Sequence, residues 1–133
     1  FTLTDLVAAP MKKKTKSSSA RSVQPRFRIL CRGGVALGPG KAELLALIEQ
    51  TGSINQAAKQ MGMSYMRAWS LVQTVNRCFK KPLVLAGRGG PGGGGTELTP
   101  TGHRVLELYR RMEQDSLKII RARSQALRRL LRN

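Results

Sequence analysis

Along RFRILCRGGVAL, residues 26–37, apolar and charged positions alternate: Phe27, Ile29 and Cys31 stand between Arg26, Arg28 and Arg32, and Gly33-Gly34 then precede Val35, Ala36 and Leu37. A period of two broken by a glycine pair predicts a β-hairpin with one face toward a core. After Gly38-Pro39-Gly40 the period changes. KAELLALIEQ, residues 41–50, carries Leu44, Leu45, Leu47 and Ile48 in a predicted helix closed by Thr51-Gly52. Ser53 with Gln56 three positions on makes a capping box for a short helix through Ala57, Ala58 and Met61, which Gly62 stops. Ser64 caps a longer helix, YMRAWSLVQTVNRCFKK, ended before Pro82. PLVLA and TEL then read as two strands around a glycine stretch, and Thr99-Pro100 caps a last helix that runs about thirty residues without internal glycine or proline from His103 on.

Two capped helices separated only by Gly62-Met63 cannot lie collinear, and the small residues Ala57, Ala58 and Gly62 let them cross closely. This is helix-turn-helix chemistry. In the second helix Ala68, Val72, Val75 and Phe79 form an apolar stripe, with Leu71 and Trp69 beside it and Trp69 expected in the core. Arg67, Ser70, Thr74, Arg77 and Lys81 form the opposite stripe. The N-terminal end of such a helix would bring Ser64, Tyr65, Met66 and Arg67 nearest the base edges of a major groove, where an arginine can fork onto a guanine.

Charge gives this pattern a partner. The chain has 133 residues, with 24 Lys and Arg against 7 Asp and Glu, a formal charge of +17 that repels itself unless a polyanion neutralises it. Residues 50–96 hold Lys59, Arg67, Arg77, Lys80, Lys81 and Arg88 and no acid, as expected for phosphate contacts. MKKKTKSSSARS, residues 11–22, is expected to be a disordered basic tail. No run of about eighteen apolar residues is present to span a bilayer. The basic run at 12–14 follows the mildly apolar FTLTDLVAAP instead of preceding it, the wrong order for a secretory signal. Met11 is a second candidate, beside Phe1, for the first residue of the native chain. Cys31 and Cys78 lack C-x-x-C spacing and His103 is the only histidine, so they are expected to be separate small core residues of a protein in a reducing cytoplasm, with neither a disulfide nor a zinc site. One histidine, no clustered carboxylates and no nucleophile beside a base argue against an enzyme, and no cofactor or metal is expected.

GRGGPGGGG, residues 87–95, holds seven of the fourteen glycines, and Gly87, Gly89 and Gly92 formally satisfy G-x-G-x-x-G. A dinucleotide fingerprint needs its third glycine to open a helix. Here Gly93-Gly94-Gly95-Thr96-Glu97-Leu98 intervene and Pro91 interrupts, so the match is accidental; without G-K-[ST] a P-loop fails as well. The stretch is instead the tip of a hairpin after a recognition helix, a wing, whose glycines let backbone approach DNA and whose Arg88 can reach a phosphate or the minor groove.

GSINQAAKQMGMSYMRAW, residues 52–69, with GRGGPGGGGTELTPTG, residues 87–102, resembles the N-terminal winged helix-turn-helix domain of the ModE family, molybdate-responsive transcriptional regulators related to LysR-type regulators. Ser64-Tyr65 with Ala68-Trp69, the glycine-rich wing and LTPTG at 98–102 carry the likeness, which covers about residues 26–115. It implies a cytoplasmic homodimer whose recognition helix and wing engage operator DNA and whose long last helix supplies dimer contacts. In this chain Val105, Tyr109, Met112 and Ile119 stand at heptad-like spacing, with Ser116 in the same seam. The family's molybdate-binding domains have no counterpart in residues 116–133, which carry six basic side chains and no acid, so molybdate binding is not expected of this sequence.

The expected fold is mostly α with small β, a winged helix-turn-helix of N-terminal hairpin, three-helix core, hairpin wing and long C-terminal dimerisation helix. Its divisions are a basic tail at 1–22, the DNA-binding domain at 23–99 and the last helix at 100–133. The expected function is sequence-specific binding of double-stranded DNA at an inverted repeat by a dimeric regulator of repressor type, without its own effector domain. The expected DNA contacts are Ser64, Tyr65, Met66, Arg67, Ser70, Thr74, Arg77, Lys80, Lys81 and Arg88. The alternative is an architectural protein that coats DNA without choosing sequence.

Overall fold

The computed structural model describes residues 22–87 and 95–132. Strand β1 (Ile29–Cys31) pairs antiparallel with β2 (Gly34–Leu37), helices α1 (Pro39–Thr51), α2 (Ile54–Met61) and α3 (Tyr65–Cys78) follow, and β3 (Val84–Ala86) pairs antiparallel with β4 (Thr96–Leu98). Helices α4 (Pro100–Ile119) and α5 (Arg121–Arg129) complete a mostly helical chain with two small hairpins. The basic tail expected at 1–22 lies, except for Ser22, outside the described residues.

Arg26–Arg110 forms one compact unit, and the described residues 22–25 and 111–132 fall in another. The first unit thus takes in the start of α4. The reason is burial: Gly102, Leu106 and Tyr109 face its core, and the Tyr109 hydroxyl donates to the Phe27 carbonyl at 2.7 Å. The centre of that core is the stripe Leu44, Leu45, Leu47 and Ile48 of α1, closed by Leu37 of β2, Val75 of α3 and Leu83. Burial of these aliphatic side chains is the main driving force, worth about 1.5–3 kcal/mol each.

The breaks in the pattern become caps. Gly38 precedes α1 and Pro39 opens it, two residues before the expected start, because proline at the first turn gives up only an N–H that has no helical partner. Lys41 Nζ donates to the Val35 carbonyl at 2.5 Å, tying α1 to the hairpin, and desolvation there lowers its pKa below the ordinary lysine value. Ser53 Oγ accepts from Gln56 N at 3.0 Å, but the reciprocal half of the expected capping box goes to Thr51, whose Oγ1 accepts from Ser53 N.

Three further expectations are corrected. Helix α3 ends at Cys78, not Lys81: Phe79 is extended (φ −106°, ψ 157°), and Pro82 disfavours helical backbone at Lys81. The last helix is broken at Ile120 (φ −91°, ψ 4°), the second of two adjacent β-branched residues, although Ile120 N to Ser116 O and Ser124 N to Ile120 O keep the hydrogen bonding nearly continuous. Cys31 and Cys78 are joined as a disulfide, with Cα atoms 6.1 Å apart. Period and spacing gave no hint of that bond, because it is the packing of α3 against the first hairpin that brings the two cysteines together across 47 residues.

Candidate nucleic-acid interface

The connection between α2 and α3 is built from backbone. Gly62 takes the left-handed conformation (φ 71°), its N–H donates to Lys59 O, and Met63 N reaches back to Ala58 O at 3.0 Å, closing α2 by a Schellman arrangement. Ser64 then caps α3 at once, its Oγ accepting from Arg67 N at 3.0 Å. Ala57 and Ala58 of α2 and Ala68, Val72 and Val75 of α3 are buried at the crossing. Small side chains there let the two helices cross as a tight pair.

What this leaves outside is the first two turns of α3. Ser64, Tyr65, Met66, Arg67 and Ser70 are all exposed, Met66 by 66 %. Trp69, expected in the core, is 40 % exposed and joins them: it sits about 100° around the helix from Ala68, at the margin of the buried stripe. Thr74 is half-buried and its hydroxyl donates to Ser70 O at 3.1 Å, while Arg77 is exposed. Lys80 and Lys81 are exposed as well but lie beyond the end of α3. Arg88 lies outside the described residues. Along 53–87 every charged side chain is basic, and α3 itself carries no acidic residue; the exposed acid of the neighbouring hairpin is Glu97 on β4.

The second hairpin is fastened beside this helix by a residue the sequence reading passed over. Asn76 Oδ1 accepts from Leu83 N at 2.8 Å and Val84 N at 3.1 Å, and its Nδ2 donates to Val84 O at 3.0 Å. One carboxamide thereby holds the start of β3 as a neighbouring strand would. A polar side chain in the last turn of a helix, eight residues before a strand, is the only sequence signal of it. Register runs Val84↔Leu98, Leu85↔Glu97 and Ala86↔Thr96, and Gly87 N donates to Gly95 O at 2.7 Å. Thr96 N donates to Gly52 O at 2.8 Å, anchoring β4 to the end of α1. The tip, 88–94, lies outside the described residues.

Of the seam proposed on the last helix, Tyr109 is 2 % exposed and spent on its own unit. Val105 is half-buried, Met112 exposed and Ile119 81 % exposed. Among the described residues, no cluster of three His, Cys, Asp or Glu side chains could hold a metal, and no helix is long and apolar enough to cross a membrane.

No protein-family model matches the chain. Curated proteins do. The chain is 40 % identical over 92 residues to the molybdenum-pterin-binding protein MopB of Rhodobacter capsulatus, covering 69 % of this chain and 34 % of that protein. It is 45 % identical over 80 residues to the molybdenum transport protein ModE of Azotobacter vinelandii, covering 60 % and 30 %. The likeness is to ModE and MopB. The DNA-binding transcriptional dual regulator ModE of Escherichia coli K12 is 42 % identical over 71 residues, 53 % of this chain and 27 % of that protein. The chain thus spans about a third of the length of the ModE and MopB relatives it matches.

Proposed function

We propose that this chain is the DNA-binding portion of a ModE-type transcriptional regulator, a winged helix-turn-helix with α2 and α3 as the helix pair, α3 as recognition helix and the β3–β4 hairpin as wing. The observation that carries this is the first two turns of α3, where Tyr65, Met66, Arg67, Trp69 and Ser70 stand exposed on a helix that carries no acidic side chain. Large side chains that could have been buried are instead presented with a forked hydrogen-bond donor, the composition that reads base edges. The basic residues Lys59, Arg77, Lys80 and Lys81 supply phosphate contacts. Similarity to regulators, one of them named DNA-binding, supports the reading and favours a non-enzymatic role.

The protein acts as a homodimer through the outer face of α4, where Met112 and Ile119 remain available, and so binds an inverted repeat. An architectural role is the second reading, favoured by the net charge of +17. The deciding experiment selects bound duplexes from a random-sequence pool at physiological salt, where screening leaves base contacts to choose the winners. An inverted-repeat consensus is expected; absence of enrichment would establish the architectural reading instead.

A further inference from the structure

Cys31 is followed by Arg32, and Cys78 is preceded by Arg77. The disulfide therefore brings two guanidinium-bearing residues, far apart in sequence, to the walls of one cleft. That cleft, of about 570 Å³, opens between the β1–β2 turn and the C-terminal half of α3 and is lined by Arg32, Gly33, Gly34, Thr74 and Arg77 around the disulfide. Neither arginine forms an ion pair among the described residues. A Cβ added at Gly33 or Gly34 would meet nothing within 4 Å, so a ligand can approach the backbone of the turn as well as the side chains. Thr74 directs its hydroxyl proton to Ser70 O, which leaves its oxygen as an acceptor and the arginines as the donors.

Two like charges held on one cleft without a carboxylate repel each other, and an anion between them removes that cost. We propose that this cleft binds a tetrahedral phosphate, with Arg32 and Arg77 as its donors, and that its occupant is a backbone phosphodiester of the duplex held by α3. The inference rests on the DNA-binding reading for its occupant but not for its anion chemistry. It adds Arg32, and with it the first hairpin, to a surface otherwise formed by α3 and the wing. A phosphate seated there fixes the C-terminal half of α3 against the duplex backbone without reading sequence.

The test compares the disulfide-bonded chain with Arg32→Ala and Arg32→Lys in duplex affinity across a salt series, and follows the Gly33 and Gly34 amides by NMR during titration with inorganic phosphate. Arg32→Ala should weaken selected and random duplexes by the same factor and reduce the log-log salt slope by about 0.9, one phosphate contact, while Arg32→Lys keeps the slope. An unchanged slope for Arg32→Ala on duplexes that the parent binds would overturn the proposal. Should the parent bind no duplex at all, the DNA-binding reading fails by itself. Phosphate-induced shifts at Gly33 and Gly34 that vanish in Arg32→Ala would then keep the anion site with free phosphate as its source, and no shifts would remove it.

Discussion

At Gly102 the amide donates to Thr99 Oγ1 at 2.9 Å, and the Leu83 carbonyl lies so near that an added Cβ would collide with its oxygen. That oxygen also accepts from Thr99 N at 2.9 Å, and Thr99 Oγ1 donates to Pro82 O at 2.7 Å, so α4 begins docked on the residues that lead into β3. Glycine within a helix ordinarily costs about 1 kcal/mol against alanine. Here the sign should reverse: Gly102→Ala should lose about 1–3 kcal/mol through overpacking against backbone that cannot yield cheaply. Urea unfolding monitored by circular dichroism gives the value, and a stabilised variant would mean that α4 does not dock at Leu83. The Thr99-Pro100 cap was legible because capping is local chemistry, whereas the close approach of Gly102 to Leu83 was not. Asn76 stayed hidden for the opposite reason: its partners are backbone atoms of Leu83 and Val84, and nothing in the residues themselves says that this amide faces them. Trp69 was misplaced because an aromatic at the edge of an apolar stripe suits the core and a ligand equally well.

Among the elements, α3 shows which boundaries a sequence can announce. Its start was legible, since Ser64 satisfies Arg67 N within one turn, whereas its end at Cys78 is decided by Pro82 and by the chain's return to Asn76. The difference bears on function, for Arg67 rides on the capped first turn and Lys80 on the segment after the helix. Arg67→Ala should therefore cost about 1–3 kcal/mol at the selected site and relax specificity at one base pair. Lys80→Ala should weaken every duplex alike, since a phosphate contact carries no sequence information. Parallel binding titrations on selected and scrambled duplexes separate the two. Equal losses on both duplexes for Arg67→Ala would take base reading away from the start of α3. Because Ser64 caps the helix that carries Arg67, a change at Ser64 would mix stability with recognition, and Arg67 is the cleaner probe.

For the molecule as a whole, the distribution of apolar and basic side chains over the last helices sets the final expectation. Helix α5 has no buried residue, and Leu127, Leu130 and Leu131 are exposed along with Ile119 and Met112. Apolar side chains clustered on helices without a core of their own call for a partner surface, and a second copy of α4 would supply one by symmetry. Tyr109 already serves its own unit, so the contact should lie toward the C-terminal half of α4, later along the helix than the heptad spacing suggested. Ending the chain after Asp115 should then convert a dimer into a monomer in sedimentation equilibrium, while the unit Arg26–Arg110 retains its fold by circular dichroism. The same truncation removes six basic side chains and no acid, so affinity should fall for two separable reasons. Loss of charge lowers the salt slope on any duplex, whereas loss of the partner abolishes the advantage of two half-sites over one. A truncated chain that stays dimeric and still prefers paired half-sites would place the interface within residues 1–115, and Leu127, Leu130 and Leu131 would then belong to some other contact.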